Sequence, residues 1–316
     1  MAVLSMDVGG TNFRLAVIDK KKLLTIESVL TKEIKDPVKL IKNFLAKHTK
    51  YKIKKCGIGF AGPIIENKAT LTNAGITLDK KILEKELKLK ITFVNDFQAI
   101  GYGLKLLDKK DFFSLNKTDM KSKVNMVVGP GTGLGKAYII NEIVFASEGG
   151  HTILDIEDIH DYSLRDYLKS NLHREQIYHE DVVSGRGLIA LYKHLAITSQ
   201  LNRSQRAGKE IINHEYKTAD MITKYAPKDP LCDLTLKEFT KYYARFVRGS
   251  ALHLIPSHIY LCGGISPIIK EYLKKYFMRE FVNHCMYSGL LKNMNVSIVM
   301  NTNVGLIGAG NIATWE

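Results

Sequence analysis

The sequence predicts an α/β protein of two domains, and two observations lead to this prediction. Short apolar runs typical of strands alternate with helical patterns over residues 2–94. The order strand, glycine-rich turn, strand occurs twice, around Gly9 and again around Gly131. Two such hairpins, each opening an α/β unit, indicate an internal duplication. We therefore expect two domains whose glycine hairpins face each other across a cleft.

The composition is that of an ordinary globular protein. The chain has 316 residues, 45% hydrophobic and 25% charged, and its net charge of +14 comes from 46 Lys+Arg and 32 Asp+Glu. The lysines are scattered, which is typical of a solvated surface, so we expect no specific nucleic-acid partner. No run of eighteen apolar residues and no leader pattern occurs, which predicts a cytoplasmic protein without membrane association. The four cysteines lack C-x-x-C spacing, so neither a zinc site nor a disulfide framework is expected.

The first part of the chain reads as a mixed sheet with helices. Strands are predicted at residues 2–6, 13–18, 23–30, 53–60 and 91–94, and helices at residues 38–48 and 80–87. Pro37 stands at the start of the first helix, where a missing backbone N–H costs little. Another helix is predicted from residue 97 to the polar stretch 108–111. That stretch, or the polar residues 116–123, is the expected hinge between domains.

The second part repeats this organisation and adds helices. Strands are predicted at residues 124–128, 137–140, 259–262 and 296–300, with mostly helical patterns over 162–253 and a helix from residue 268. Residues 304–313 are expected to form a closing helix that Gly305, Gly308 and Gly310 interrupt. The predicted division is a small α/β domain of residues 1–110 plus 300–316 and a large α/β domain of residues 111–299.

The first glycine turn has the residues of an anion site. Gly9 and Gly10 permit positive φ and close approach of a ligand, and successive N–H groups in such a turn form an anion-binding concavity. Thr11 and Asn12 add side-chain donors. Asp7 would repel a phosphate unless a cation lay between them, which suggests Mg²⁺. An ordinary hairpin with a Gly-Gly turn explains these residues equally well on its own.

The second glycine turn, residues 129–136, fits neither of two familiar phosphate motifs. A Walker A loop needs glycine where Pro130 stands and Ser or Thr where Ala137 stands. A dinucleotide fingerprint needs its last glycine at Leu134 or Lys136, and both motifs should open a helix rather than a strand. A phosphate-gripping hairpin remains, with Gly131, Thr132 and Gly133 as its candidate residues.

Polar residues beside strand ends and glycine turns form a second set of candidates. Asn95 and Asp96 follow an apolar strand, and ligands of open α/β sheets lie at the carboxyl ends of strands. Glu148 and His151 flank a Gly-Gly turn, and Glu180 precedes the segment SGRG. A helix cap or a surface loop would explain each of them singly. Together they predict a site for a polar, hydroxyl-rich ligand.

These segments together resemble the bacterial-type glucokinases of the actin-like, sugar-kinase ATPase superfamily. The matching segments are residues 7–12 (DVGGTN), 60–63 (FAGP), 72–73 (TN), 94–97 (VNDF), 131–135 (GTGLG), 148–151 (EGGH), Glu180 with 184–188 (SGRGL), 262–265 (CGGI) and 305–310 (GLIGAG). They run in family order over nearly the whole chain, except for residues 193–230. The chain departs from the family at Arg186, where proline is expected. It also lacks the cysteine-rich zinc motif of the related repressor/ORF/kinase group.

The resemblance implies a fold, an activity and roles for the candidate residues. The fold would be the two-domain actin-like (ribonuclease H-like) ATPase fold with a cleft between the domains, and the activity ATP-dependent phosphorylation of glucose to glucose 6-phosphate. Asp96 would be the general base, and Asn73, Asn95, Glu148, His151 and Glu180 would bind glucose with it. Gly9, Gly10, Thr11, Asn12, Gly131, Thr132 and Gly133 would hold the ATP phosphates, Gly263 and Gly264 the adenosine, and Asp7 would hold Mg²⁺ through water.

Other functions stay open at this point. A kinase for another hexose would carry the same motifs, and so would one with ADP or polyphosphate as donor. A sugar-responsive transcription regulator would need a DNA-binding module ahead of Asp7, where six residues leave no room. A nonenzymatic actin-like binding protein is favoured only by the positive charge and would have no use for Asp96. The sequence leaves a homodimer open.

Overall fold

The computed structural model describes residues 1–71, 75–201, 208–209, 211 and 218–315. The chain divides into two compact units, Met1–Asp111 with Ala137–Ala146 and Asn301–Glu316, and Phe112–Lys136 with Ser147–Met300. The division predicted from the sequence stays a prediction; it differs from these units by grouping residues 137–146 with the large domain. Within the described ranges, no helix is long and apolar enough to cross a membrane.

Strands and helices alternate along much of the chain. The strands are β1 (Ala2–Val8), β2 (Asn12–Asp19), β3 (Lys22–Leu30), β4 (Lys55–Phe60), β5 (Ile64–Ile65), β6 (Lys68–Leu71), β7 (Ile76–Asp79), β8 (Lys90–Asn95), β9 (Phe112–Asn116), β10 (Val124–Pro130), β11 (Leu134–Ile140), β12 (Ile143–Ser147), β13 (His258–Leu261) and β14 (Asn295–Val299). The helices are α1 (Pro37–Lys47), α2 (Lys80–Leu87), α3 (Asp96–Leu104), α4 (Ile159–Leu172), α5 (Gly185–Thr198), α6 (Thr218–Tyr225), α7 (Pro230–Leu254), α8 (Ile265–Ile268), α9 (Lys270–Tyr272), α10 (Met278–Phe281), α11 (Ser288–Lys292) and α12 (Val304–Ile312). A π-helical turn, Leu273–Phe277, joins α9 to α10.

The first unit is organised around a five-stranded sheet of order β3-β2-β1-β4-β8. β1, β2 and β3 form an antiparallel meander, while β4 and β8 run parallel to β1. In register, Val8 of β1 pairs with Phe60 of β4, which pairs with Asn95 of β8. The three parallel strands therefore end at the same edge of the sheet, where ligands of α/β folds bind.

Helix α12 is continuous, so the expectation that its glycines interrupt it is wrong. Side chains on all sides of this helix are buried, including Leu306 and Ala309. A Cβ at Gly308 would overlap the carbonyl of Ala99 on α3, and a Cβ at Gly57 of β4 would overlap that of Ala309. The glycines are needed because α12 packs backbone to backbone against its neighbours, which offsets their low helix propensity.

The second unit contains strands of a six-stranded sheet of order β12-β11-β10-β13-β14-β9. β10, β13 and β14 are parallel, with Val128 paired to Leu261 and Leu261 to Ile298. The strand predicted at residues 137–140 begins earlier, at Leu134, directly after the glycine turn. The short strands β5, β6, β7, β9 and β12 are absent from the sequence-based prediction.

The long helix α7 is held in the second unit by a buried ion cluster. Arg245 donates to Asp161 near the start of α4 (2.9 Å) and to Glu280 of α10 (2.7 Å). Asp161 also accepts a hydrogen bond from the Tyr242 hydroxyl (2.7 Å), and burial is the main reason why the pKa of Tyr242 is raised. Charges at this depth need such partners because desolvation is costly. The cluster fixes the helix that lies beneath part of the candidate site.

Candidate active site

The first glycine turn joins β1 to β2 and is braced by the end of β3. Gly9 N–H donates to the Asn12 carbonyl (3.0 Å), and the Thr31 hydroxyl donates to the Gly9 carbonyl (2.8 Å). Thr31 N–H donates to the carbonyl of Thr11 (2.9 Å). Among the described residues, the glycines with positive φ are Gly75 and Gly263, so neither Gly9 nor Gly10 uses that freedom. Their contribution is the missing side chain, which lets a ligand approach the backbone.

Asp7, the predicted Mg²⁺ residue, forms an ion pair with Arg14. The two side chains are direct cross-strand partners in the β1–β2 hairpin, and Arg14 also donates to the carbonyl of Thr302 (3.2 Å). Both are partly buried, with 19% and 26% of the side chain exposed for Asp7 and Arg14. The sequence analysis missed Arg14, although the hairpin register would have placed it beside Asp7. Its guanidinium puts a fixed positive charge next to the candidate phosphate cradle.

Asn95 and Asp96 lie where β8 passes into α3. The Asn95 side-chain oxygen accepts from the N–H groups of Phe97 (3.0 Å) and Gln98 (3.3 Å), and the Gln98 side chain accepts from Asn95 N–H. Asn95 is thus a helix cap as well as a candidate ligand, with its amide N–H₂ remaining as a donor. Asp96 accepts from Phe97 N–H (2.9 Å) and stands in the first helical turn, a favourable place for a negative charge. The candidate residue Asn73 lies outside the described residues.

In the second unit, Glu180 is the centre of the predicted sugar-binding residues. One of its carboxylate oxygens accepts from Leu134 N–H (2.8 Å), and the other lies 3.2 Å from Arg186 and 3.8 Å from the His151 ring. The other ring nitrogen of His151 lies 3.6 Å from Glu148. The structure therefore brings Glu148, His151 and Glu180 together, although about thirty residues separate His151 from Glu180. Glu180 is the most buried of the three, with 16% of its side chain exposed.

The second glycine turn is fixed to the start of α5. Gly131 N–H donates to the Gly133 carbonyl (2.8 Å), and Gly185 N–H donates to the Gly131 carbonyl (2.9 Å). Ser184 caps α5 by accepting from Gly187 N–H (3.1 Å). A Cβ at Gly133 would lie 2.5 Å from Glu180, whereas a Cβ at Gly131 would meet no atom within 4 Å. The turn is thus open at Gly131 and packed against Glu180 at Gly133.

Gly263 and Gly264, the predicted adenosine residues, follow β13 beside this turn. Gly263 has φ +80°, and a Cβ there would overlap the Pro130 carbonyl. A Cβ at Gly129 would similarly overlap the Cys262 carbonyl. The ends of β10 and β13 are therefore in backbone contact, which requires glycine on both sides. Within the ranges that the structure describes, no group of three or more His, Cys, Asp or Glu residues could hold a metal ion.

Comparison with known proteins identifies the family of the chain. A family model described as glucokinase matches residues 4–315. The chain belongs to the glucokinase family. It is 33% identical to a glucokinase of Nostoc punctiforme over an alignment that covers 97% of each chain. The family prediction made from the sequence is confirmed.

Solved structures confirm the predicted actin-like α/β fold. A glucokinase from Balamuthia mandrillaris in complex with glucose has a TM-score of 0.80 at 20% identity, covering 99% of this chain and 93% of that one. A ROK family glucokinase from Streptomyces griseus in complex with glucose and AMPPNP has a TM-score of 0.72 at 20% identity, with all of both chains covered. At these identities the likeness shows the fold, which is the two-domain actin-like ATPase fold of these sugar kinases.

Arg186 is the residue at which this member of the glucokinase family departs from the expected proline. Its side chain is exposed, and its guanidinium donates to the carboxylate of Glu180, which is one of the predicted sugar-binding residues. That departure was the one sequence signal for this contact. The Leu134 N–H had no sequence signal, because a backbone donor carries no residue identity.

Replacing Arg186 by glutamine should weaken glucose binding several-fold with little change in kcat. The Glu180 carboxylate would lose one of the donors that fix its orientation, while the Leu134 N–H bond stays. Exposed ion pairs contribute only about 0–1 kcal/mol, so the expected rise in the KM for glucose is less than about tenfold. Steady-state kinetics with glucose as the varied substrate measures it. A lysine at this position should restore part of the loss, and a wild-type KM in the glutamine variant would contradict the role.

Proposed function

We propose that the protein transfers the γ-phosphoryl group of ATP to the 6-hydroxyl of glucose. Membership of the glucokinase family supports the reaction class. The observation that carries the proposal is the cluster of Glu148, His151 and Glu180, which is tied through Leu134 N–H to the glycine turn. Two carboxylates and an imidazole offer acceptors and a donor for neighbouring sugar hydroxyls. The glucokinases of Balamuthia mandrillaris and Streptomyces griseus, which share the fold, are complexes with glucose, and this favours glucose as the sugar.

Asp96 is the general base of the proposed reaction. Its carboxylate accepts the proton of the 6-hydroxyl as the sugar oxygen bonds to the γ-phosphorus. The bond from the γ-phosphorus to the bridging oxygen breaks, and ADP leaves with the electron pair. Because the transition state for phosphoryl transfer is loose, orientation of the hydroxyl and neutralisation of charge contribute most of the rate. Asn95, on the preceding residue, offers an amide donor to another hydroxyl.

The phosphates of ATP are held by backbone N–H groups of the two glycine turns. The turns are Gly9 to Asn12 and Gly131 to Gly133. Because the N–H groups of Gly9 and Gly131 already donate within their turns, the phosphates would bind at the other N–H groups, and Gly263 with Gly264 would lie against the adenosine. The positive charge of the Arg14 guanidinium would attract the negatively charged phosphates. Mg²⁺ bound with ATP would neutralise charge on the phosphates. Asp7, which is ion-paired with Arg14, would hold this ion through water, since Mg²⁺ prefers hard oxygen ligands and keeps its waters.

A phosphorylation assay over sugars and phosphate donors tests the proposed function. Purified protein is mixed with glucose, mannose, fructose or galactose and with ATP, ADP or polyphosphate, and formation of sugar phosphate is followed. Glucose with ATP should give the highest kcat/KM. Strong preference for another hexose would favour the second candidate, a kinase for that sugar, and no turnover with any pair would remove the kinase assignment. The homodimer and the cytoplasmic location stay predictions.

Replacing Glu148 by glutamine should lower kcat/KM for glucose and narrow its advantage over galactose. The wild-type protein should prefer glucose because a site built around a hydroxyl leaves buried polar groups unpaired when that hydroxyl is inverted. Such a mismatch costs up to about 10⁴ in kcat/KM in favourable cases. Glutamine keeps the shape of the side chain but removes its charge and part of its acceptor capacity. The measurement is kcat/KM for glucose, mannose, fructose and galactose in both proteins.

Glu142 provides a control for this substitution, because it is an exposed glutamate in the short turn between β11 and β12. Glu142→Gln should leave all four kcat/KM values unchanged. Equal use of the four sugars by the wild-type protein would show that Glu148, His151 and Glu180 do not discriminate hydroxyls. In that case the assignment to glucose would fail even if a sugar kinase activity remained.

A further inference from the structure

Strand β11 supports both segments that carry the sugar-binding residues. Leu134 and Lys136 lie on the same face of the strand, because side chains alternate along it. The N–H of Leu134 donates to Glu180 (2.8 Å), and a Cβ at Gly150 would overlap the carbonyl of Leu134. At the beginning of β11, the N–H of Leu134 therefore contacts Glu180, and the carbonyl of Leu134 packs against the turn at Gly149 and Gly150.

Lys136 is a buried cation on this face of β11. Only 5% of the residue is exposed, and burial lowers the pKa of its ammonium group. Its Nζ lies 3.3 Å from the Ser250 hydroxyl and 5.5 Å from the centre of the Phe246 ring, both on α7. Hydroxyl and cation–π contacts of this kind offset part of the cost of desolvating the charge. The lysine side chain is thereby anchored to α7, which the ion cluster of Arg245 holds in turn.

The Gly149–Gly150 turn packs directly against the end of this side chain. A Cβ at Gly149 would lie 2.5 Å from Nζ of Lys136 and would overlap its Cε. Gly149 is therefore small because the lysine occupies the space that a side chain would need. Glu148 precedes this turn and His151 ends it, so the lysine packs against the backbone that carries both polar side chains.

We propose that Lys136 is a positioning residue for sugar binding, which holds the turn that carries Glu148 and His151. This inference rests on the proposed function, because it assigns those two residues to the sugar. The ammonium anchors the side chain on α7, and the alkyl chain forms the floor beneath Gly149. In this proposal the lysine contacts neither the 6-hydroxyl oxygen of the sugar nor the γ-phosphorus. It therefore affects the affinity for the sugar rather than the transfer of the phosphoryl group.

Lys136→Met tests the role, because methionine is unbranched and only one atom shorter than lysine but carries no anchoring charge. We expect the KM for glucose to rise at least about tenfold, with kcat within about twofold and the KM for ATP unchanged. Lys123→Met is the control, since Lys123 is an exposed lysine of the same unit, and it should change none of these values. A wild-type KM for glucose in Lys136→Met would overturn the proposal. So would equal rises in both KM values with a lower Tm, which would indicate a general structural role.

A double-mutant cycle tests the contact between Lys136 and Gly149 directly. Gly149→Ala should weaken glucose binding in the wild-type background, because the new methyl group would displace the end of the lysine side chain from its contact with Ser250 on α7. In the Lys136→Ala background there is no such displacement, so adding Gly149→Ala should cost much less, and the two effects should not be additive. Glucose binding measured by calorimetry gives the four affinities. Additive effects would contradict the proposed packing.

Amide hydrogen exchange separates failure of this inference from failure of the proposed function. Lys136→Met should speed exchange in residues 148–152, while exchange in β10 and in residues 131–133 stays as in wild type. This measurement needs no sugar. Faster exchange in a protein that proves inactive toward glucose would support the positioning role, and only the assignment of glucose as the substrate would fail. Unchanged exchange in residues 148–152 would overturn the positioning role whatever the activity.

Discussion

Replacing Asp96 by alanine should abolish nearly all phosphorylation of glucose while ATP still binds. The carboxylate lies at the end of β8 and in the first turn of α3, at the edge of the sheet where β1 and β4 also end. Base catalysis by a positioned carboxylate typically contributes about 10²–10⁴-fold, so kcat should fall by that factor. Initial rates with saturating glucose and ATP measure it. Calorimetry with ATP alone shows whether nucleotide binding is intact.

Asp96→Asn is the cleaner variant, because its side-chain oxygen can still accept from Phe97 N–H and preserve the first turn of α3. Its amide cannot accept the proton of the hydroxyl, so the loss of kcat should match that of the alanine variant. Asp79→Asn is a matched control in the same unit, since Asp79 caps α2 by accepting from Lys81 N–H (2.9 Å). The control should turn over normally. Wild-type turnover in Asp96→Asn would remove Asp96 from the role of base.

The elements predicted well from the sequence are those whose apolar residues recur regularly over a long stretch or whose ends carry a clear capping residue. Helix α2 has the predicted bounds, because Asp79 caps it and its apolar positions recur with the helical period. β5, β6 and β7 escaped prediction because strands of two to four residues are too short to show alternation. The glycines of α12 suggested an interrupted helix because propensity carries no information about backbone packing against neighbours.

In the candidate site, the sequence predicted several of the residues but not the contacts that they make. The sequence pattern selected Glu148, His151 and Glu180, the resemblance gave them a role, and the structure brings them together. Their partners came only from the fold: Arg14 meets Asp7 through hairpin register, and Leu134 meets Glu180 across forty-six positions of the sequence. Such contacts depend on tertiary packing, and a single sequence holds no local pattern for them.

Gly133→Ala should weaken the binding of both glucose and ATP, unlike Gly131→Ala. From the sequence alone, a side chain at Gly133 is expected to disturb ATP far more than glucose. The structure changes that expectation, because a Cβ there would lie 2.5 Å from the Glu180 carboxylate. The carboxylate cannot move aside freely, since Leu134 N–H and Arg186 both hold it. Displacing a group that orients the substrate can cost about 10²-fold, which we expect in kcat/KM for glucose.

Gly131→Ala is the matched control, because a Cβ at that position would meet no protein atom within 4 Å. Its methyl group would intrude only on a ligand at the backbone N–H groups, so ATP affinity should fall while glucose affinity holds. Calorimetry on each variant with glucose and with ATP separates the two cases. If Gly133→Ala lowered ATP affinity alone, the contact between the glycine turn and Glu180 would not govern sugar binding. If Gly131→Ala lowered glucose affinity alone, the turn would bind the sugar rather than the phosphates.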